Sequence, residues 1–309
     1  MTKVEVKRVH TITGHRDSVY TLRQADKPNL FFSGSGDGMV VLWDLEKPEE
    51  GELIAKLPHS IYALHLLQTS GLLIVGHNYD GIHLIDWKNK QAGGSLKMTK
   101  AAIFDIQSLG QRLFVADGGG TVTEIDLQNL VITNTVKLSE KSARTVAINE
   151  ATGEIAVGYS DCYIRVFDLD GLTLKYEWPA HSNSVFTLRY TPDGSFLMSG
   201  SRDARLKLWD VQAGYTPATE VVAHMYAINH IEFGPDSKHF VTCSMDKSIK
   251  VWDLRELRLL KVIDKGRYAG HGTSVNKLLW THHHGQLVSA SDDRTISVWD
   301  IDFNESLDT

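Results

Sequence analysis

The chain has 309 residues, of which 42% are hydrophobic and 23% are charged, a balance that is typical of globular proteins. Its formal net charge of -6 at pH 7 provides no overall attraction for nucleic acid or for an anionic membrane. The sequence contains no run of about 18 apolar residues that could span a bilayer. The two cysteines, Cys162 and Cys243, are too few for a disulfide framework. We therefore expect a cytoplasmic protein with neither a membrane nor a nucleic-acid partner.

The first predicted element is a β-strand over residues 4–12, VEVKRVHTI, in which apolar residues alternate with charged or polar ones. This alternation differs from the continuous apolar core of a secretion signal. The strand has no repeat of its own, and it precedes a region of regular internal repetition.

The rest of the chain repeats with a period of about 42 residues. Each repeat ends on an aspartate that follows Trp, Ile or Phe. These aspartates are Asp44, Asp86, Asp126, Asp168, Asp210, Asp253 and Asp300. They define seven units with the approximate bounds 13–53, 54–95, 96–136, 137–176, 177–219, 220–263 and 264–301.

Within each unit, short β-branched and aromatic runs are separated by turn residues. The first unit shows the pattern with VYTL, FFSGSGD and MVVLWD, and the fifth contains a TPDG turn between two such runs. Runs of this kind at close, regular spacing predict successive antiparallel strands. We find no amphipathic helix, so the sequence predicts an all-β fold.

Four units share a histidine that lies 22 residues before an aspartate and is followed by a Trp-Asp pair. The histidine-aspartate pairs are His15 and Asp37, His181 and Asp203, His224 and Asp246, and His271 and Asp293. Together with the Ser-x-Ser-x-Asp segments, these motifs resemble the WD-repeat family. The resemblance implies one domain over residues 1–309, a seven-bladed β-propeller of four-stranded antiparallel blades. It also implies that the N-terminal strand closes the ring by pairing with the last blade, which removes an exposed edge.

The resemblance further implies a buried hydrogen-bonded network in these four blades, in which a hydroxyl, an imidazole and a carboxylate satisfy a buried indole. Its members are His15, Ser33, Asp37, Trp43, His181, Ser199, Asp203, Trp209, His224, Thr242, Asp246, Trp252, His271, Ser289, Asp293 and Trp299. Ser, His and Asp also form catalytic triads, but a nucleophile must be reachable by substrate and is not repeated at a fixed period. We therefore predict a structural role, no catalytic residue and no enzyme.

Units two to four depart from this pattern. The residues in the Asp and Trp positions are Tyr79 and Ile85, Gly119 and Ile125, and Asp161 and Phe167. The second unit keeps a loop histidine, His59, and all three units are two residues shorter before their first strand. In a closed ring, blades 5, 6, 7 and 1 form a strong arc, and blades 2, 3 and 4 form a weak arc. We predict that the weak arc opens first, because its hydrogen-bonded ties are missing.

In the family that the sequence resembles, partners bind the face that carries the inter-blade loops. Carrying the entrance positions over gives Tyr20, Tyr62, Ala102, Arg144, Phe186, Asn229 and Asn276. The residues before the turn aspartates are Gly36, Asn78, Gly118, Ser160, Arg202, Met245 and Asp292. Aromatic residues, arginine and methionine are typical of binding hot spots. The predicted partner-binding residues are Tyr20, Tyr62, Arg144, Phe186, Arg202, Asn229, Met245 and Asn276. Packing of the three aromatic side chains between blades is the alternative.

These observations predict a monomeric platform for a protein or peptide partner, without a cofactor. An enzyme that uses the channel as a pocket and a purely architectural subunit are the alternatives. The loop at residues 264–268 either clamps a ligand or is a solvated spacer. The sequence THHHGQ at residues 281–286 aligns with turns between first and second strands, so its histidines fan outward, and we predict no metal site.

Overall fold

Seven four-stranded antiparallel sheets make up the computed structural model, which describes residues 2–305. The sheets are the blades of a seven-bladed propeller, which confirms the fold predicted from the sequence. Blades 1 to 3 are formed by β2 to β13, with the bounds Val19–Gln24, Leu30–Ser35, Met39–Asp44, Gly51–Lys56, Leu64–Leu66, Leu73–His77, Gly81–Asp86, Gln91–Lys97, Ile103–Leu109, Arg112–Asp117, Thr121–Asp126 and Val131–Lys137.

Blades 4 to 6 are formed by the next twelve strands, β14 to β25. Their bounds are Ala143–Asn149, Glu154–Tyr159, Tyr163–Asp168, Leu174–Pro179, Val185–Tyr190, Phe196–Ser201, Arg205–Asp210, Thr216–Val222, Ile228–Phe233, His239–Ser244, Ile249–Asp253 and Arg258–Ile263. Blade 7 contains β26, β27 and β28, at Val275–Trp280, Leu287–Ser291 and Ile296–Glu305, together with β1 at Thr2–Ile12.

Several unit boundaries predicted from the sequence fall inside the fourth strands. The first boundary, at residue 53, cuts the strand Gly51–Lys56. The outer strands are largely exposed, so their sequences carry a weaker apolar signal than the inner three. This weaker signal explains the offset of a few residues.

Closure of the ring depends on β1, the outermost strand of blade 7. It pairs antiparallel with β28 from Thr2 opposite Glu305 to Ile12 opposite Ile296, with one irregularity between Arg8 and His10. The prediction that the N-terminal strand completes the last blade is confirmed. The two ends of the chain therefore share one sheet, and neither terminal strand leaves an open edge toward the other.

The apolar core lies between neighbouring blades. The described residues form seven buried clusters, each drawn from two adjacent sheets. In one of them, Trp43 of blade 1 packs with Val288 and Val298 of blade 7. Each blade is thus apolar on both faces and depends on its two neighbours for burial.

The one departure from an all-β fold in the described chain is a short helix, α1, at Lys265–Tyr268. Asp264 caps it by accepting a hydrogen bond from the Arg267 amide at 2.9 Å. The Arg8 guanidinium donates to the Ala269 carbonyl, which ties this loop to β1. Since β1 is the outer strand, the loop lies at the rim of blade 7 and lines no part of the channel. Among the residues described, no helix is long and apolar enough to cross a membrane.

Candidate functional site

The four predicted polar networks are assembled in the same way. In blade 1, His15 Nε2 lies 2.7 Å from Ser33 Oγ, and His15 Nδ1 lies 3.0 Å from Asp37 Oδ2. The Trp43 indole donates to the same serine oxygen at 2.8 Å. The serine is fully buried, and all of its polar neighbours belong to the network. The hydroxyl is therefore a structural hub, out of reach of any substrate.

Blades 5, 6 and 7 repeat this geometry within 0.2 Å or less. The distances from the histidine to the hydroxyl are 2.8, 2.7 and 2.8 Å, and those from the indole to the hydroxyl are 2.9 Å in all three blades. The histidine-carboxylate distances are 3.0, 2.8 and 3.0 Å. Thus the structure brings together all sixteen residues that the sequence assigns to the network.

The network carboxylates remain ionised although they are partly buried. Burial by itself raises the pKa of Asp203, but hydrogen bonds from His181 and from two backbone amides outweigh it and lower the pKa well below its usual range. Hydrogen bonds from the network histidine, a nearby hydroxyl and a backbone amide likewise outweigh burial and lower the pKa of Asp246 and Asp293. Each carboxylate is therefore ionised at neutral pH and ties the loop before its blade to the turn within it.

The weak arc lacks this arrangement. His59, which the sequence alignment matches to the loop histidines, is exposed, and its ring lies edge-on to Tyr79 at 5.2 Å. The shorter loop places it outside the blade. Instead of the network, Asn78 forms two hydrogen bonds: it donates to the Ser60 carbonyl at 2.7 Å and accepts from the Ile103 amide at 2.9 Å. One side-chain amide thus joins blade 2 to blade 3.

A cavity of about 510 Å³ opens at the centre of the ring, on the loop face, and falls within the usual size range of ligand sites. All seven entrance residues predicted from the sequence line it. In blade 3, however, the position equivalent to Tyr20 belongs to Phe104, because Ile103 pairs with Asp117 as Val19 pairs with Ser35. Ala102 lies two residues before that position. The prediction is wrong by two residues there, because the shortened loop obscures the alignment.

The entrance carries a continuous arc of π-systems. Tyr20 and Tyr62 have ring centroids 4.7 Å apart, and Tyr62 and Phe104 are 5.6 Å apart. The guanidinium of Arg144 lies 3.9 Å from the Phe104 ring centre and 4.7 Å from that of Phe186. The arc thus spans blades 1 to 5, with an arginine held between two phenylalanines.

Arg144 carries an uncompensated charge at this opening. Burial lowers the pKa of its guanidinium to about 10, so it remains protonated at neutral pH. Among the side chains that the structure describes, no carboxylate pairs with Arg144 and no acceptor takes a hydrogen bond from its guanidinium; besides burial, only Tyr62 affects its pKa. A partly desolvated cation with free donors has the chemistry to bind an anion.

The two asparagines of the predicted set tie blades together. Asn229 donates to Val275 O at 2.8 Å, which joins blade 6 to blade 7. Asn276 donates to Val19 O at 3.0 Å and to Asp292 at 2.7 Å, which joins blade 7 to blade 1. Their amides are therefore engaged in structure and offer a partner mainly a polar, rigid border.

Arg202 and Met245 lie outside the set that lines the cavity, although both are exposed on the same face. Met245 belongs to a patch that the sequence did not indicate. The inter-blade loop beside it exposes Met225 by 81% and Tyr226 by 61%, against 49% for Met245. The missed signal was the pair Met225-Tyr226 directly after a network histidine, where other strong-arc loops have Arg-Asp, Ser-Asn and Gly-Thr.

Deeper in the channel, two carboxylates contact a neighbouring blade. Arg189 of blade 5 bonds Glu232 of blade 6 at 2.7 Å. Asp105 of blade 3 accepts from the Val146 amide of blade 4 at 2.8 Å. Both carboxylates therefore bridge neighbouring blades.

The histidines at residues 282–284 lie in the turn between β26 and β27, as the sequence predicts. The turn is closed by a bond from the Thr281 amide to the Gln286 carbonyl at 2.8 Å. Within the described chain, three potential metal ligands converge elsewhere, at His77, Asp80 and His83.

Comparison with known proteins identifies the repeats. The family described as WD domain, G-beta repeat matches residues 6–44, 172–210, 216–253 and 264–300. These four segments are the strong arc and include most of the closing strand.

Individual relatives are similar at lower identity. WD repeat-containing protein 1-B of Xenopus laevis is 26% identical over 220 residues, which are 68% of this chain and 35% of that protein. The striatin homolog of Dictyostelium discoideum is 24% identical over 209 residues, or 65% of this chain and 21% of that protein. Meiotic fizzy-related protein 1 of Schizosaccharomyces pombe is 26% identical over 214 residues, or 66% and 49%. The chain thus spans less than half the length of each of these relatives.

Proposed function

Because the chain belongs to the WD-repeat family of β-propellers, we propose that it is a non-catalytic platform that binds a segment of a partner protein over the channel entrance. Proteins of this family generally act through protein interactions. The proposal adds a location, the loop face, and a chemistry for the segment that is bound.

The observation that carries the proposal is Arg144 between Phe104 and Phe186. Its guanidinium is partly desolvated, keeps its positive charge and has N–H donors without partners. A carboxylate is the group on a protein that satisfies such a cation by paired hydrogen bonds. The bound segment therefore presents an Asp, a Glu or a C-terminal carboxylate at the entrance.

The rest of the entrance favours an apolar neighbour to that carboxylate. Tyr20 and Tyr62 extend the aromatic surface away from Arg144, and aromatic side chains give contact area at low entropic cost. Outside the cavity, the Met225, Tyr226 and Met245 patch offers a second apolar contact on the same face. A single extended segment that crosses the opening could contact both surfaces.

We also propose that the protein is monomeric and cytoplasmic and has no enzymatic activity. The supporting observations are the two free cysteines and the pairing of the deep channel carboxylates. The N-terminal strand of the same chain closes the ring, so no second copy of the chain is needed to complete a sheet.

The experiment is capture of partners by the purified full chain, compared with Arg144→Gln and Phe186→Ala. Any candidate partner is then measured for affinity, and its acidic residues are changed to amides. We expect Arg144→Gln to weaken binding about 10-fold or more, the usual size of a charged hot spot. The matched control is His283→Ala/His284→Ala, which alters the opposite face.

Equal capture by the wild-type protein and both channel variants would show that the blade edges are used, as in an architectural subunit. Turnover of a small molecule that Arg144→Gln abolishes would instead favour the enzyme alternative. Either outcome contradicts the proposed platform at the entrance.

A further inference from the structure

The turn between β7 and β8 in blade 2 brings three ligand-type atoms together. His77 is the last residue of β7, and His83 lies on β8 opposite Val75. The two imidazoles are diagonal neighbours on one face of the hairpin, a relation that brings long side chains into contact. Asp80 is in the turn that joins the strands.

The three pairwise distances are short and similar. His77 Nδ1 lies 2.9 Å from His83 Nε2. Asp80 Oδ2 lies 3.6 Å from His77 Nδ1 and 3.5 Å from His83 Nε2. A hydrogen bond between the imidazoles accounts for the first distance. It leaves the carboxylate beyond good hydrogen-bond distance of both rings, although it faces both.

A metal ion accounts for all three distances at once. The centre of a triangle with these sides is about 1.9 Å from each corner, close to the 2.0–2.2 Å of Zn²⁺ bonds to nitrogen and oxygen. With bonds of about 2.1 Å, tetrahedral ligands are roughly 3.4 Å apart and ligands at right angles roughly 3.0 Å apart. Two of the three separations match the tetrahedral value.

We propose that His77, Asp80 and His83 bind a divalent transition-metal ion with tetrahedral preference, Zn²⁺ above others. Two imidazoles and one carboxylate suit Zn²⁺ better than Ca²⁺ or Mg²⁺, which prefer oxygen. The fourth position is left to water or to His59, whose ring centre is 5.8 Å from that of His77.

The surroundings of the three side chains suit this role. They are 11%, 30% and 27% exposed, in chain order, so the ligands are held yet can be reached. The second ring nitrogen of His77 is buried without a protein partner, so Nδ1 is the nitrogen that meets polar groups. Lys97 lies 3.7 Å from the other oxygen of Asp80 and leaves Oδ2 directed at the imidazoles.

A bound ion would fix the turn that carries Tyr79. This residue has a φ of 69°, and its side chain lines the channel cavity. The ion would thus order one border of the entrance, although the metal site itself does not depend on the proposed partner.

The test is Zn²⁺ titration of the EDTA-dialysed full chain against a chromophoric chelator, with Co²⁺ absorbance as the measure of geometry. We expect one equivalent to bind and Co²⁺ to show the strong visible bands of four-coordinate geometry. His83→Gln and Asp80→Asn should each weaken binding at least about 10-fold. His283→Ala/His284→Ala, which removes the other histidine cluster, should leave binding unchanged.

Circular dichroism and melting of the metal-free variants show that each one folds, and the two ligand changes are independent of each other. Unchanged Zn²⁺ affinity in His83→Gln would overturn the proposal. Loss of binding only in His283→Ala/His284→Ala, or a weak octahedral Co²⁺ spectrum, would also overturn it.

Discussion

The strong arc and the weak arc build the same blade by different means. In blades 5, 6, 7 and 1, one set of four residue types recurs with nearly constant distances. In blades 2 and 4, other side chains substitute for it. The comparison shows that a four-stranded blade forms without the histidine network.

Blade 4 shows such a substitute. Arg165 bonds Asp161 at 2.9 Å and Glu177 at 3.1 Å, and it stacks on the rings of Tyr159 and Tyr163. A cation thus pairs with the turn aspartate of blade 4, where the strong arc has an imidazole. The Arg165 side chain is 8% exposed and that of Glu177 is 49% exposed, so solvent screens the ion pair with Glu177.

The weak arc leaves more buried polar groups without a partner. Among the residues that the structure describes, seven buried side-chain atoms have no hydrogen-bond partner within the protein, and six of them belong to blades 2 and 4. They belong to His65, His77, Trp87, Asn149, Tyr159 and Trp178. Each such group lowers the stability of the blade that contains it.

The short loops of the weak arc impose a further cost on the preceding turn. Gly38 and Gly120 have φ values of 76° and 82°, and a Cβ at either would lie 2.1 Å from a carbonyl oxygen of the following loop. In blades 4 and 5, where the following loop has full length, the same position holds Cys162 and Ala204 at positive φ. In blades 1 and 3, the short loop that follows thus leaves no room for a side chain at this position.

Removal of residues 1–12 should have the largest effect, since it takes the outer strand from blade 7 and opens the ring within the strong arc. We expect aggregation or loss of cooperative unfolding, measured by size-exclusion chromatography and by melting. A monomeric product with an unchanged melting temperature would show that the other blade interfaces suffice.

Asp203→Ala should lower the free energy of unfolding by roughly 1–3 kcal/mol, because it strands the buried His181. The matched change in the weak arc, Asp161→Ala, should cost less, because the buried Arg165 keeps its second carboxylate, Glu177. Chemical denaturation measures both. Equal losses would mean that the two kinds of tie have the same strength.

The free energy of unfolding should decrease at acidic pH because of His65 in blade 2. Burial first, and then the charge of Arg23, lower the pKa of His65 to about 3, from 6.5. The neutral ring is favoured in the folded state, so this stability is complete above pH 6.5 and is lost as the pH falls toward 3. Between pH 7 and pH 5 the loss is about 2 kcal/mol.

His65→Gln removes the titrating group and can keep a hydrogen bond to Ser108, which His65 contacts at 2.7 Å. The difference in unfolding free energy between pH 7 and pH 5 should therefore shrink in this variant. If the wild type and His65→Gln show the same pH dependence, then His65 does not stay neutral in the fold.

Gly120→Ala should destabilise the protein by about 1–2 kcal/mol, since the new Cβ meets the Ser139 carbonyl in a left-handed conformation. Cys162→Ala is the control at the equivalent turn position of blade 4 and should be nearly neutral. Melting curves of the two variants make the comparison, and equal behaviour would refute the effect of loop length.

Hydrogen exchange should show the smallest difference between the strong arc and the weak arc, but it measures that difference directly. We expect amides of β7, β11 and β15, the second strands of the weak arc, to open at free energies about 1 kcal/mol below those of β3, β19, β23 and β27. Uniform protection around the ring would mean that the substitute ties are equivalent to the networks.

The sequence determined the number of blades, the closing strand and the sixteen network residues, because each depends on a pattern that repeats at a fixed period. It also indicated most of the channel entrance, since Tyr20, Tyr62, Arg144 and Phe186 occupy a position defined by that repeat. Such features can be recognised in the sequence because they recur in several of the seven units.

Only the tertiary structure shows which side chains meet where the sequence departs from the repeat pattern. Phe104, and not Ala102, is in the position equivalent to Tyr20 because backbone pairing, and not residue count, sets the register of blade 3. Arg144 lies between two phenylalanines because three separate blades meet at the channel. His77, Asp80 and His83 converge because a hairpin folds back on itself. These contacts join side chains that belong to different strands or blades, and no period along the chain records such distances.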